Sequence, residues 1–593
     1  MLDRGRNALL STIGGGIVSV LVCYQPAVAQ SSSSLFVAYP PPEHETSADR
    51  IFFIGTADPN EPVTINGQPI ENRSEDGHFA PTLPLALGDN TFTLSQGDES
   101  LTLLITRVSA EPPLPNGVGF AEGTLSPAVD IARQTGELVC LRAIATPEAT
   151  VSATLGSQTL SLLPQPNIDL PPNSSVLTSQ TAPVTLSATE YAGCIMPTEP
   201  GDLGSARFEL AAQGETVSAI APGQISVLSP TEFQIAQVTA ADGVARTGPS
   251  TSYSRITPLP AGTRAAVTGR EGEWLRLDYG GWIKAAETTI SSGSVPPRSI
   301  IRGISAQQKE NWTEVVFPLQ TPVPISVRQE ERSFSLTLHN TTPQTDTIYF
   351  SNDPVVERMD FNSVLPDSAE YTFHFKSSQQ WGYKLRYEGT SLILSLRHAP
   401  PNNSLRGATI LLDPGHGSDA DLGSQGPTGY PEKDVTLIVS KLLRDQLEAR
   451  GATVVMTREG DDDLYPGDRV DIINANEPTL ALSLHYNALP DAGDALSRKG
   501  IGSFWYNPQA HAIATFLHDY IVQDLGRESY GVYWNNLALT RPTVAPSVLL
   551  ELGFMINPEE FEWITDENAQ KELANTLADG LEAWFARVES AQK

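Results

Sequence analysis

His416 stands between Gly415 and Gly417 in LLDPGHGSDADLGSQGPTGYPEKDV, the stretch from Leu411 to Val435. Glycines on both sides leave the ring no packing neighbours, so it reads as displayed rather than stored in a core. His485 closes the apolar run LALSLH, and Glu551 interrupts the apolar run VLLELGF. Glu432 follows the glycine loop at the start of a helical pattern, where a carboxylate meets the positive end of the helix. Two imidazoles and one carboxylate, with a fourth position left open, form the donor set of a catalytic zinc site. A further carboxylate is then needed to take a proton from water and pass it to a leaving nitrogen. Spacing alone leaves the two glutamates exchangeable between these roles. Singly, Glu432 is accounted for as a helix-start carboxylate and His485 as a hydrogen-bonded core histidine. Glu551 on a buried strand is costly unless it is paired or bound to metal.

Rival motifs are weak. The glycine loop lacks both the P-loop and the dinucleotide-binding glycine patterns. HETSA, starting at His44, has Ala48 where a zinc-protease helix needs its second histidine. No G-x-S-x-G elbow occurs. His511 and His518 lie seven apart on one helical pattern and read as face or core histidines, with a spare-ligand role as the alternative.

The elements that must position these residues alternate. ATILL, TVVMTR, TLALSLHYNA, GIGSFWYN and SVLLELGF read as strands. EKDVTLIVSKLLRDQLEARG reads as an amphipathic helix with Val435, Ile438, Val439, Leu442 and Leu443 on its stripe and Gly451 as its stop. Alternation of this kind predicts an α/β domain over 406–590 with a mostly parallel sheet, whose ligands gather beyond the carboxyl ends of the strands.

Upstream, the chain is β-like and multidomain. Alternating runs with turn signals such as Asn66-Gly67 predict a β-sandwich over 35–108 and a second β domain over 117–229. A small barrel is expected over 233–291 and another β-rich domain over 299–399. Residues 1–29 read as a cleaved export signal: Arg4 and Arg6 precede the apolar stretch Ala8–Cys23, and Ala27 and Ala29 mark the cleavage site. That stretch is short against the ~20 residues of a membrane span. Cys140 and Cys194 remain as a candidate disulfide in an exported chain. Acidic residues outnumber basic ones, 69 to 38, which argues against a nucleic-acid partner.

Two resemblances follow from quoted residues. ARTGPSTSYS, AGT, Trp274 and GGWI, within 233–291, resemble the bacterial SH3-like wall-targeting domain. A spacer barrel with Trp274 and Trp282 in its core is the alternative to ligand binding. Residues 299–399 are vaguely similar to the targeting domain that precedes some cell-wall amidases. LLDPGHG, EKDV, TRE with a later DR, ALSLHYNA and PSVLLELGFMINPEE resemble the zinc-dependent N-acetylmuramoyl-L-alanine amidases. That resemblance implies zinc ligands at His416, Glu432 and His485, a catalytic glutamate at Glu551, and peptidoglycan as substrate. Arg541 and Asn487 are candidate substrate contacts beside the motifs, with ordinary loop hydrogen bonding as the alternative. Some relatives carry a blocking helix after the second histidine motif. LPDAGDALSRKG is too short for one, so the lock is expected to be absent and any restraint to come from the N-terminal domains. Other readings are a different envelope zinc hydrolase, such as a peptidase or deacetylase, or an inactive wall-binding scaffold.

Overall fold

The structure is a computed structural model describing residues 35–109, 114–171, 175–178, 184–348, 350, 352–364, 367–400 and 404–592. The export signal expected over 1–29 lies outside the described residues.

Residues 36–107 form small sheets around Ile51, Phe53, Phe79, Leu94 and Ile105. Asn66 and Gly67, at φ 51° and 77°, make the two-residue turn their types favour. In the next β region, Val139–Ile144 pairs with Val184–Ile195, and directly opposite residues Cys140 and Cys194 are joined by a disulfide. Its sheet does not stop at the barrel. Ile131–Gln134 pairs with Glu215–Leu228 on one side and with Arg264–Glu271 of the barrel on the other. Trp274 and Trp282 are buried in the barrel region. Two four-stranded antiparallel sheets between Ser305 and Arg397 then enclose Phe317, Phe334, Tyr371 and Phe373.

The C-terminal α/β domain runs β1 (Thr409–Pro414), α1 (Glu432–Ala449), β2 (Thr453–Met456), α2 (Pro466–Asn476), β3 (Leu480–Asn487), β4 (Ile501–Trp505), α3 (Pro508–Leu525), β5 (Ser529–Trp534), β6 (Ser547–Phe554), α4 (Pro558–Thr565) and α5 (Glu567–Gln592). The sheet order is β2-β1-β3-β6-β4-β5, and every pairing is parallel except β4 with β6. Proline opens α2, α3 and α4, where its missing N–H costs nothing. The α1 stripe differs in detail from the sequence expectation. Val435, Val439, Leu443 and Leu447 are buried, whereas Ile438 is 38% exposed and lies at the rim. Edge strand β5 (SYGVYW) escaped the sequence reading: its burial is only intermediate, so it carries no clean alternation. Among the described residues no helix is long and apolar enough to cross a membrane.

The upstream regions pack onto this domain. Trp381 stacks against Phe585 and meets Trp584 edge-on, with ring centroids 6.0 and 5.6 Å apart. The 488–500 segment holds turns and no helix. The first β region sits on it: the Tyr39 hydroxyl donates to Asp491, His44 Nε2 lies 3.0 Å from Asp491 Oδ2, and Thr82 donates to Gly493 O. Phe52, Ile54 and Ala80 share an apolar cluster with Ala495, Phe554 and Ile556.

Candidate metal centre

Three neighbouring segments deliver the site. His416 follows the end of β1, Glu432 opens α1, and His485 lies near the end of β3. Their ligand atoms all fall within 4.8 Å of one another. Glu432 Oε1 is 3.3 Å from His416 Nε2 and 3.1 Å from His485 Nδ1. The imidazoles meet edge-on at 5.0 Å. Glu432 is almost fully buried, while the histidine side chains keep 25% and 17% of their surface, so the cluster opens toward solvent on the imidazole side.

The glycine loop makes this convergence possible. His416 adopts φ +59°, a left-handed conformation that is uncommon for residues other than glycine and concentrates at functional sites. A Cβ at Gly415 would lie 2.4 Å from the His485 ring, and one at Gly423 would lie 2.6 Å from His416 and 2.7 Å from Glu432. These glycines therefore let two backbone segments approach the cluster closely. They do not cradle an anion.

Further groups fix the orientation. Asp421 Oδ1 lies 2.6 Å from His416 Nδ1, which turns Nε2 toward Glu432. Ser424 donates to Glu432 Oε2 from both its N–H and its hydroxyl, and the Tyr486 N–H donates to Oε1. Beneath the loop, two buried arginines hold its backbone. Arg469 donates to Pro414 O and His416 O, and Arg458 donates to Pro414 O, Gly415 O and Lys433 O. Arg469 also pairs with buried Asp413 at 2.7 Å, and Asp413 accepts from Thr457 and Ser483. This explains the TRE and DR segments as the frame behind the site.

Glu551 lies on β6 directly opposite His485 on β3. Its Oε2 is buried without a hydrogen-bond partner. An unsatisfied buried polar group costs ~1–3 kcal/mol, and more if charged, which favours the protonated form. Burial first, and the Glu432 carboxylate second, push the Glu551 carboxyl well above its ordinary range. Burial acts the same way on Glu432, but hydrogen bonds from His416 and His485 outweigh it and hold that carboxyl well below the usual range. Burial lowers the His416 imidazole, yet Glu432 and Asp421 outweigh it and bring it up to about 9. Two neighbouring carboxyls driven apart in this way suit different roles.

The other candidates have partners of their own. Asn487 accepts from the Ala488 N–H at the end of β3. Arg541 is lowered to about 10, chiefly by burial and then by neighbouring Arg255 of the barrel region, with Tyr506 and Arg246 also near. It therefore faces the barrel region. His518 is buried between Asp519 and Ser529, and His511 packs against Trp505. Asp421 was missed by the sequence reading. Its one signal was its position inside the loop that already carried His416.

An α/β domain whose strand ends collect two imidazoles and a carboxylate, with a second buried carboxylate alongside, has the build of a metallohydrolase. The donor set fits zinc: neutral nitrogen and carboxylate oxygen, with no thiolate required. Residues 410–583 match the N-acetylmuramoyl-L-alanine amidase family and residues 244–289 match the bacterial SH3 domain, so the chain carries a domain of each kind. It is 36% identical over 201 residues to the probable cell wall amidase LytH of Staphylococcus aureus, covering 33% of this chain and 65% of that protein's length. Among solved structures, AmiC2 of Nostoc punctiforme is 27% identical, covering 30% of this chain and 98% of its own, with a TM-score of 0.29. An amidase from Clostridium difficile 630 is 26% identical with the same two coverages and the same TM-score.

Proposed function

We propose that this protein is an exported peptidoglycan hydrolase that cleaves the amide bond between N-acetylmuramic acid and L-alanine. The observation that carries the reading is the convergence of His416, Glu432 and His485 within 4.8 Å inside the amidase-family domain, with Glu551 opposite His485. In this reading His416, Glu432 and His485 hold zinc. A zinc ion held there would supply Lewis acidity toward the amide carbonyl and the attacking water. Glu551 takes a proton from that water and returns it to the departing alanine nitrogen. Its Oε2 has no hydrogen-bond partner among the described residues and its backbone position is opposite His485, which leaves the carboxyl available for that transfer. Asp421 keeps the His416 ring in one orientation, and the Arg458 and Arg469 frame keeps the loop in register.

The upstream β regions then place the catalytic domain on the wall, outside the cytoplasm after signal cleavage, in the periplasm or the wider envelope. The barrel's tryptophans are buried, which favours a spacer role for that face of the barrel over ligand stacking. Chelation tests the metal dependence. Dialysis against a chelator should abolish release of stem peptides from purified peptidoglycan, and added zinc should restore it. Release that persists after metal removal contradicts the reading.

A further inference from the structure

A second group of metal-type donors lies away from the catalytic cluster. Asp76, His78 and Glu562 offer ligand atoms that all lie within 4.8 Å of one another. The first two belong to the N-terminal β region, and the third belongs to α4 of the amidase domain. His78 is only 6% exposed. Its Nδ1 lies 2.9 Å from the Thr56 hydroxyl, and among the described residues Nε2 has no hydrogen-bond partner. A ring nitrogen committed to a neutral partner leaves the other nitrogen free as a donor, the usual arrangement of a ligating histidine.

The Asp76 N–H donates to Glu562 Oε1 at 3.0 Å, which draws both side chains to one place. Among the described residues neither carboxylate is paired with a lysine or arginine. The nearby Arg73 guanidinium is spent on the carbonyls of Ala57, Asp58, Glu61 and Gly77. Like charges gathered across an interface destabilise it unless a cation joins them.

We propose that Asp76, His78 and Glu562 form a second metal site, which takes a divalent ion of zinc type and clamps the N-terminal β region onto the catalytic domain. One imidazole with two carboxylates suits zinc and similar first-row ions over calcium or magnesium, which favour oxygen ligands alone. The clamp stands close to the catalytic loop. Phe561, beside Glu562, meets the His78 ring edge-on at 5.3 Å. The Phe561 ring fills the space where a Cβ at Gly426 would lie, 2.1 Å away, in the loop between His416 and Glu432. A bound ion would thus hold α4 against that loop. The inference rests on geometry outside the catalytic cluster and stands whether or not the amidase reading holds.

Metal content of the full chain tests it, by equilibrium dialysis against buffered zinc followed by mass-spectrometric metal analysis. The wild-type chain should bind two zinc ions. His416→Ala, which disables the first cluster, should bind one. Glu562→Gln and Asp76→Asn, both at the interface and close in shape to the native residues, should each lower the ratio by one in either background, with circular dichroism unchanged. Zinc content unaffected by both Glu562→Gln and Asp76→Asn overturns the proposal. Zinc content unaffected by His416→Ala would instead fault the catalytic cluster, so the two failures are distinguishable.

Discussion

His485 and Glu551 occupy opposite register positions on the adjacent parallel strands β3 and β6. The candidate metal cluster and the candidate proton carrier therefore share one backbone frame. Loss of the Glu551 carboxylate should leave the frame and the cluster intact. Glu551→Gln is expected to keep its zinc at the first cluster and its circular dichroism while losing ~10²–10⁴-fold in turnover, the usual contribution of a general acid or base. Turnover close to wild type would reassign the proton transfer.

Asp421 holds His416 from outside the cluster. Partners of this kind typically contribute ~10–100-fold in metal affinity. Asp421→Asn should weaken zinc binding by about that much in competition with a chelating indicator, and activity at saturating zinc should largely recover. Unchanged affinity would show that the 2.6 Å contact does no orienting.

Acid should weaken the frame behind the loop. Burial raises the Asp413 carboxyl, but the Arg469 charge and hydrogen bonds from Ser483 and Thr457 outweigh it and hold the group below its ordinary range. A folded pKa lower than the unfolded one stabilises the protein above the unfolded value, and that stability drains away as pH falls below ~3.9. Asp413→Asn should therefore lose less stability than wild type between neutral pH and pH values below ~3.9, measured as the shift in thermal midpoint. Equal losses in the two proteins would contradict this role. Removing the cation instead strands a buried charge, so Arg469→Met should cost ~3–5 kcal/mol.

The sequence carried the three cluster residues because each stands where a strand or helix boundary should expose it. Their convergence followed from the α/β alternation. The division of labour between Glu432 and Glu551 did not follow from spacing. It came from the resemblance, and in the structure the two carboxyls differ in environment: one is held by two imidazoles and the other has an unpartnered oxygen. Asp421, Arg458 and Arg469 were obscure for a physical reason. Their partners are backbone carbonyls and a ring placed by tertiary contacts, which no local pattern encodes. The strand Ile131–Gln134, which continues one sheet into the barrel, was hidden for the same reason.

The docking of the first β region on the 488–500 segment could not be read from sequence either, because it joins Tyr39 and His44 to a residue far along the chain, Asp491. Asp491→Ala should remove its contacts with Tyr39, His44 and Thr46 and raise amide hydrogen exchange in 488–500 and in the strand Glu43–Thr46, with the helices of the α/β domain unchanged. No change in exchange at either surface would mean that the Asp491 contacts do not hold the interface, leaving that to the apolar cluster around Phe52 and Phe554 and the Thr82 bond to Gly493 O.

The most direct measurement of the central claim is product analysis by mass spectrometry after digestion of purified peptidoglycan with the zinc-loaded full chain. The account predicts intact stem peptides beginning with L-alanine, and glycan strands whose muramic lactyl groups end in free carboxylates. Peptides cut within the stem, or glycan that has lost acetyl groups with its stems still attached, would contradict it.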